Sequence, residues 1–252
     1  MNRLARSGVF CAFCSLSAAA FGAPVALSNP GFESGLTGWT HIGDVIATPT
    51  TTVTTYDPSP DGSTWTVYPF QTRMAQLTSN NGVNFNPNIA DLDEFFGLPE
   101  GTITSYIPEA YNGSGIKQSF TGSADDVLTQ YYNFFSVEDS EWVYDDGTHP
   151  DDTAFAVVTD SSGLSIFALL ASSQSVGLPG HTGWESFNYT LLADDTYTIG
   201  FGVVNWRDEY FDALLFIDDG TRTVLEPGSF ALLALGLGGL ACLRRRKVAL
   251  RS

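Results

Sequence analysis

Between Pro24 and Glu226 the chain is a succession of short apolar segments, rich in Thr, Val, Ile, Phe and Tyr, each cut short by a cluster of Gly, Asp, Asn or Pro. No apolar stripe is kept at helical spacing through this stretch, and segments of this length and composition satisfy their backbone groups by pairing as strands. Many such strands in succession make an all-β sandwich. Candidate strands are Val25-Ser28, Thr50-Tyr56, Arg73-Thr78, Gly115-Phe120, Leu128-Phe135, Ala154-Thr159, Leu164-Leu170, Trp184-Leu191, Thr196-Val204 and Ala213-Ile217. In Tyr197-x-Ile199-x-Phe201-x-Val203 four apolar side chains fall on one face, which sets that strand against the core. Trp39 and Trp184 each follow a Gly at the start of an apolar segment and read as core.

Two long interruptions, Asn80-Asn112 and Val137-Asp152, are rich in Pro, Asp and Asn. The first reads as an insertion at a sandwich edge, where Leu92, Phe95, Phe96 and Leu98 form a short helix that covers the edge beside the acidic patch Asp91-Leu92-Asp93-Glu94. The pairs Asp125-Asp126 and Asp194-Asp195 lie between strands and predict hairpin turns. No internal repeat is visible, and the economical reading is one sandwich domain over residues 24–223.

Charge is distributed unevenly. Of the 11 Lys and Arg, only Arg73, Lys117, Arg207 and Arg222 lie in the central region, against all 28 acidic residues, so that region carries a net charge of −24. Such a field repels phosphate backbones and anionic headgroups and concentrates cations, which excludes nucleic acid as a partner and leaves divalent metals and neutral or cationic ligands. It also serves solubility without any site. Cys11 and Cys14 precede the domain and Cys242 follows it, so the body has no thiol for a disulfide, a zinc-thiolate site or a cysteine nucleophile.

The ends read as addresses. Arg3 and Arg6 precede an apolar run from Gly8 to Phe21, and small residues offer Ala18-x-Ala20 or Ala20-x-Gly22 for cleavage, the layout of a signal peptide over residues 1–23. At the other end, Leu225-Glu226-Pro227 is followed by an apolar stretch and then by Arg244, Arg245, Arg246 and Lys247. A transmembrane helix over residues 228–243 spans about 24 Å at ~1.5 Å per residue, short of a ~30 Å hydrocarbon core. The basic cluster stays cytoplasmic and sets the acidic body outside. Residues 224–252 resemble the PEP-CTERM sorting signal, although Leu225 stands where that signal has Pro. The resemblance implies a Gram-negative source, an exosortase as processing partner, a transient inner-membrane anchor, and delivery to the cell envelope, outer surface or extracellular matrix.

The opening Ser28-Asn29-Pro30-Gly31-Phe32-Glu33 with Gly38-Trp39, and the closing Leu214-Leu215-Phe216-Ile217-Asp218-Asp219, are similar to the two ends of a galactose-binding-type jelly roll. The resemblance implies a single jelly-roll sandwich in which a structural Ca²⁺ ties first strand to last, the matching ligands being Glu33 and Asp218. The same residues also read as a turn-capping Glu and a strand-end Asp. Asp145-Asp146-Gly147-Thr148-His149-Pro150-Asp151-Asp152 has the composition of a second oxygen-rich loop but departs from the EF-hand spacing, and a solvated turn is the preferred of the two readings.

Sugar recognition needs exposed aromatic faces beside polar groups, and the loop aromatics Trp65, Tyr68, Trp142, Tyr144 and Trp206 are the candidates. Catalysis has little basis: His41, His149 and His181 are scattered, and no Gly-x-Ser-x-Gly, His-Glu-x-x-His or phosphate-cradling loop is present. The expected function is that of a non-catalytic exported protein that binds exopolysaccharide. A structural surface protein without a small ligand and a polysaccharide-acting enzyme are the alternatives.

Overall fold

A computed structural model describes residues 22–55, 64–80 and 87–221. The segments expected as a signal peptide, save residues 22 and 23, and as a sorting signal with a transmembrane helix lie outside the described residues. Among those described, no helix is long and apolar enough to cross a membrane.

The strands are β1 (Thr40–Ile42), β2 (Asp44–Thr48), β3 (Thr51–Thr54), β4 (Thr64–Val67), β5 (Met74–Thr78), β6 (Ala110–Gly122), β7 (Val127–Ser136), β8 (Thr153–Thr159), β9 (Ser165–Ser172), β10 (Gly180–His181), β11 (Glu185–Thr190), β12 (Asp195–Trp206) and β13 (Leu214–Asp218). The helices are α1 (Ile89–Phe96), α2 (Thr102–Tyr106) and α3 (Ser173–Val176). One sheet has the order β1-β6-β12-β8-β9; the second has the order β10-β7-β13-β5-β2, with β11 also paired to β7, and β3 pairs β4 as a separate ribbon. All the strand pairs are antiparallel. These two facing sheets form the expected all-β sandwich.

The main core lies between the sheets. Tyr197, Ile199, Phe201 and Val203 all point into it, as their alternation demands, and meet Phe32, Leu77, Phe134 and Leu215 from other elements. Trp39 is buried there against Phe32, with ring centroids 5.1 Å apart. Trp184 is not in this core: it is half-buried beside the β3–β4 ribbon, its ring 5.1 Å from that of Phe70, because β11 is an outer strand of its sheet. The segment expected as a first strand, Val25-Ser28, contributes only an adjacent bridge at Pro24.

The Asn80-Asn112 insertion differs from expectation in its position. Its α1 covers the outer face of the first sheet, over the central strands β6, β12 and β8, rather than an edge. The reason is a set of glycines on that face. A Cβ on Gly200 would come within 2.5 Å of Phe96 and one on Gly115 within 2.6 Å of it, so the ring seats only where the sheet has no side chain. Asn88 caps α1 by accepting from the Asp91 N–H at 3.0 Å, and Gly97, at φ 72°, ends it. Asp93 is 1 % exposed and accepts from the N–H groups of Gly101 (2.7 Å) and Ile103 (3.0 Å), joining α1 to α2.

The two Asp-Asp turns are arches between sheets rather than hairpins, since β6 and β12 belong to one sheet and β7 and β11 to the other. They are tied together: the Ala124 N–H donates to Asp194 Oδ1 at 2.8 Å, and Asp126 accepts from the N–H of Ser123 and of Ala23. A stretch read as hairpins thus closes one end of the sandwich.

Candidate functional site

Three of the five candidate aromatics are brought to one rim by the Val137-Asp152 loop and the end of β12. The rings of Trp142 and Tyr144 lie 6.5 Å apart and those of Tyr144 and Trp206 5.5 Å apart. Trp206 is fixed by its indole N–H, which donates to the Pro108 carbonyl at 2.8 Å, and by its backbone N–H, which donates to Asp152 Oδ1 at 2.9 Å. The Arg207 guanidinium sits 4.1 Å from the centroid of the Trp206 ring and pairs with Glu109 and Asp146 at 2.7 Å each. Hydrogen bonds from Thr148 and Arg207 hold the Asp146 carboxyl down to about 2. Burial and the acceptor Asp208 push the Tyr144 hydroxyl well above its usual range.

Beside Trp206 opens a cleft of about 350 Å³, a size within the ~300–1,000 Å³ common for small-molecule sites. Tyr106 and Trp206 give it aromatic surface, Leu169 and Ala171 an apolar lining, and Asp151, Thr153 and Ser172 polar groups. Tyr106 stacks on Phe167, with centroids 4.6 Å apart and planes 11° apart, yet remains half exposed. Trp142 is 44 % exposed outside the cleft.

Trp65 and Tyr68 lie elsewhere. Trp65 packs its ring against Phe135 (6.1 Å) and His181 (5.3 Å) under the β3–β4 ribbon, while Tyr68 is exposed and lends its carbonyl to the Trp184 indole at 3.0 Å. A second cleft, of about 560 Å³, lies at this ribbon; Thr52, Thr54, Gln76, Asp44 and Asp212 line it, and among the described residues no Trp or Tyr does. The five candidates are therefore two groups and not one platform.

Glu33 and Asp218, nearly two hundred positions apart, converge on one segment. Glu33 accepts from the Thr72 hydroxyl, the Thr72 N–H (2.9 Å) and the Arg73 N–H (3.0 Å); Asp218 accepts from the Phe70 N–H (2.8 Å) and the Asp219 N–H (2.7 Å). Asp218 is fully buried, and burial pushes its carboxyl up to about 7 against those two bonds, with Asp219 and Glu33 adding to the rise. Carboxylate oxygens of this kind retain lone pairs for a hard cation. Among the described residues no three His, Cys, Asp or Glu side chains group closely enough to hold a metal ion by themselves.

Glu138 and Asp152 carry no local mark along the chain. The latter, read as part of a solvated turn, is 1 % exposed, and Glu138 is 2 % exposed. Their carboxyl groups lie within hydrogen-bonding reach of each other. Burial first, then the charge of Asp152 on Glu138 and of Asp208 and Asp212 on both, push the two carboxyl groups well above the usual carboxylate range. A pair this close and this enclosed lacks the ~5–9.5 Å gap that glycoside hydrolysis needs for a sugar and a water. His181 stacks on Phe135 with centroids 4.8 Å apart, and His149 Nδ1 lies 3.0 Å from the Trp142 carbonyl. Signals for the acid pair existed only in three dimensions, since Glu138 and Asp152 sit at opposite ends of a loop.

No family model matches the chain, and no curated protein does. Similar solved structures include the carbohydrate-binding module TmCBM61 in complex with β-1,4-galactotriose, at 13 % identity over 78 % of this chain and 96 % of that one, with a TM-score of 0.38. The K3 cleaved adhesin domain of Lys-gingipain from Porphyromonas gingivalis matches at 14 % identity over 75 % of this chain and 94 % of that one, with a TM-score of 0.35. The CBM22-1 xylan-binding domain of Xyn10C from Paenibacillus barcinonensis matches at 14 % identity over 79 % of this chain and 97 % of that one, with a TM-score of 0.28. At these levels the fold rests on the strand pairing described above.

Proposed function

We propose that this chain is a non-catalytic, glycan-binding jelly roll that is exported and sorted to the envelope or extracellular matrix by an exosortase-type system. One observation carries the binding half: a cleft of about 350 Å³ lined by the aromatic residues Trp206 and Tyr106 together with the polar residues Asp151, Thr153 and Ser172. A pyranose has apolar C–H faces and a rim of hydroxyls, and a site with aromatic surface next to acceptors and donors answers both. The body's net charge of −24 selects for neutral or cationic polysaccharide over anionic chains. Trp206 and Tyr106 hold sugar; Trp142 and Tyr144 extend the rim, and Tyr68 and Trp65 belong to the ribbon on the other sheet.

The test is affinity electrophoresis of the chain through a panel of neutral polysaccharides, including exopolysaccharide of the producing cell. Retardation is expected, with Trp206→Ala and Tyr106→Ala each weakening it at least tenfold. If no polysaccharide retards the unsubstituted chain, the glycan reading is lost and the structural surface protein, for which the packed Trp65 speaks, takes its place.

The sorting half rests on Leu225-Glu226-Pro227 and the Arg244 to Lys247 cluster. Mass spectrometry of protein recovered from cells is expected to find that cluster removed; its retention overturns the sorting proposal. Glu33 and Asp218 complete the reading as ligands of a structural Ca²⁺ that pins the opening loop, the last strand and the segment Phe70–Arg73 together, supported by their convergence on that segment. Calorimetry in which Glu33→Gln leaves calcium uptake unchanged would remove it.

A further inference from the structure

The basic residues of the described body are occupied away from the Glu138–Asp152 pair. Arg73 donates to the Ala47 carbonyl, Lys117 to the Phe95 carbonyl, and Arg207 to Glu109 and Asp146. Around Asp152, meanwhile, the fold gathers buried oxygen atoms that have no partner. β8 and β12 run in register as far as Val204 opposite Thr153, and the Trp206 N–H donates to Asp152 Oδ1, so Asn205 lies between two contacts to this end of β8. Strand alternation on β12 turns Asn205 toward the space between the sheets, the side taken by Val203, and Asp152 is buried just before the start of β8.

Asn205 is 0 % exposed, and neither its Oδ1 nor its Nδ2 has a hydrogen-bond partner. Asp152 Oδ2 receives no N–H or hydroxyl from the chain and has only the Glu138 carboxyl beside it. Ser173, whose N–H donates to the Asp152 carbonyl at 2.8 Å, contributes a further fully buried hydroxyl without a partner. Buried polar atoms are ordinarily paired, and several orphans around one acid pair mean that something is held there.

We propose that Glu138, Asp152 and Asn205, with the Ser173 hydroxyl, form a site for a hard divalent cation of the Ca²⁺ class. Two carboxylates, an amide oxygen and a hydroxyl supply all-oxygen ligation, and water completes the ~6–8 oxygens that Ca²⁺ takes; the irregular donor set suits it better than the strict octahedron of Mg²⁺. Both carboxylates ligate in their ionised form, any proton they carry leaving to solvent as the cation enters. Asp208 stays outside this set, its carboxylate already accepting from the Tyr144 hydroxyl at 2.5 Å and the Tyr210 N–H at 2.9 Å. The site is separate from Glu33 and Asp218 and independent of the glycan reading. It also backs the cleft, because Asp151 and Thr153, either side of Asp152, line that cleft, and Asp152 holds the Trp206 backbone.

The experiment is calcium titration calorimetry on the full chain, stripped with chelator, in a Glu33→Gln background that silences the other candidate site. One equivalent of Ca²⁺ is expected there, bound at least tenfold more weakly once Glu138→Gln is added. Gln keeps the shape of the neutral acid, so the doubly substituted chain should retain its near-ultraviolet circular dichroism; Asp152→Asn carries the same comparison if it does not. No uptake by the Glu33→Gln chain, or uptake unchanged by both substitutions, means a site filled by water only and overturns the proposal.

Discussion

The helical cover and the aromatic rim each bury an aspartate to 1 % exposure, and they treat it in opposite ways. In the cover, both oxygens of Asp93 accept backbone N–H groups, those of Gly101 and Ile103, and the carboxylate serves as a joint between two helices. In the rim, Asp152 receives one N–H, from Trp206, and its other oxygen meets no donor of the chain but a second carboxyl, that of Glu138. Burial alone therefore says little about a carboxylate's role. What distinguishes a brace from a binding group is whether the chain supplies enough donors for its lone pairs.

The largest expected effect tests the brace. Asp93→Ala orphans two buried N–H groups, each at a cost of about 1–3 kcal/mol, so unfolding in urea should show a loss of about 3 kcal/mol. That loss should be the same with calcium or with chelator. A calcium-dependent loss would erase the contrast between cover and rim.

The next effect has the opposite sign. Asp212, at the rim side of the 560 Å³ cleft, is raised to about 7 by burial first and by Asp44 second. Its folded form binds the proton more tightly than its unfolded form, so its contribution is fully present below about 4 and is lost as pH rises through 7. Asp212→Asn, neutral at every pH, should stabilise the protein by about 2 kcal/mol at pH 8, partial exposure having been discounted, and leave it unchanged at pH 4. Thermal melts at the two pH values check this; equal shifts at both would show that the acid excess at the rim has no energetic weight. The smallest effect concerns Arg207, whose partners Glu109 and Asp146 are both about half exposed. Arg207→Gln should leave the melting temperature unresolved from the parent while freeing one face of Trp206, visible as a change in indole fluorescence.

Much of the sandwich was legible because strand alternation is a local signal. The Tyr197 to Val203 run, and the segments that became β5 to β9 and β11 to β13, carry their pattern within a few residues. The strands β1, β2 and β4 escaped because Thr40–Ile42, Asp44–Thr48 and Thr64–Val67 are short and mixed in polarity, and only their partners make them strands. The site was legible in part. Trp142, Tyr144 and Trp206 could be named as loop aromatics, but their meeting depends on a loop folding back onto the end of β12. Tyr106 was missed because it lies in the insertion, where nothing local marked it as reaching a cleft.

The glycine row beneath the helical cover has a consequence for how this chain can drift. On β12, the inward positions Ile199, Phe201 and Val203 accept exchange among hydrophobes of like volume at a modest cost, under about 1.5 kcal/mol. The intervening Gly200 and Gly202 accept nothing, since any side chain there would strike the rings of Phe96 or Phe155. One strand thus carries two substitution regimes in alternation, and lineages that lose the insertion should be the ones in which Gly200 is set free, while Gly202 stays bound to the β8 ring of Phe155.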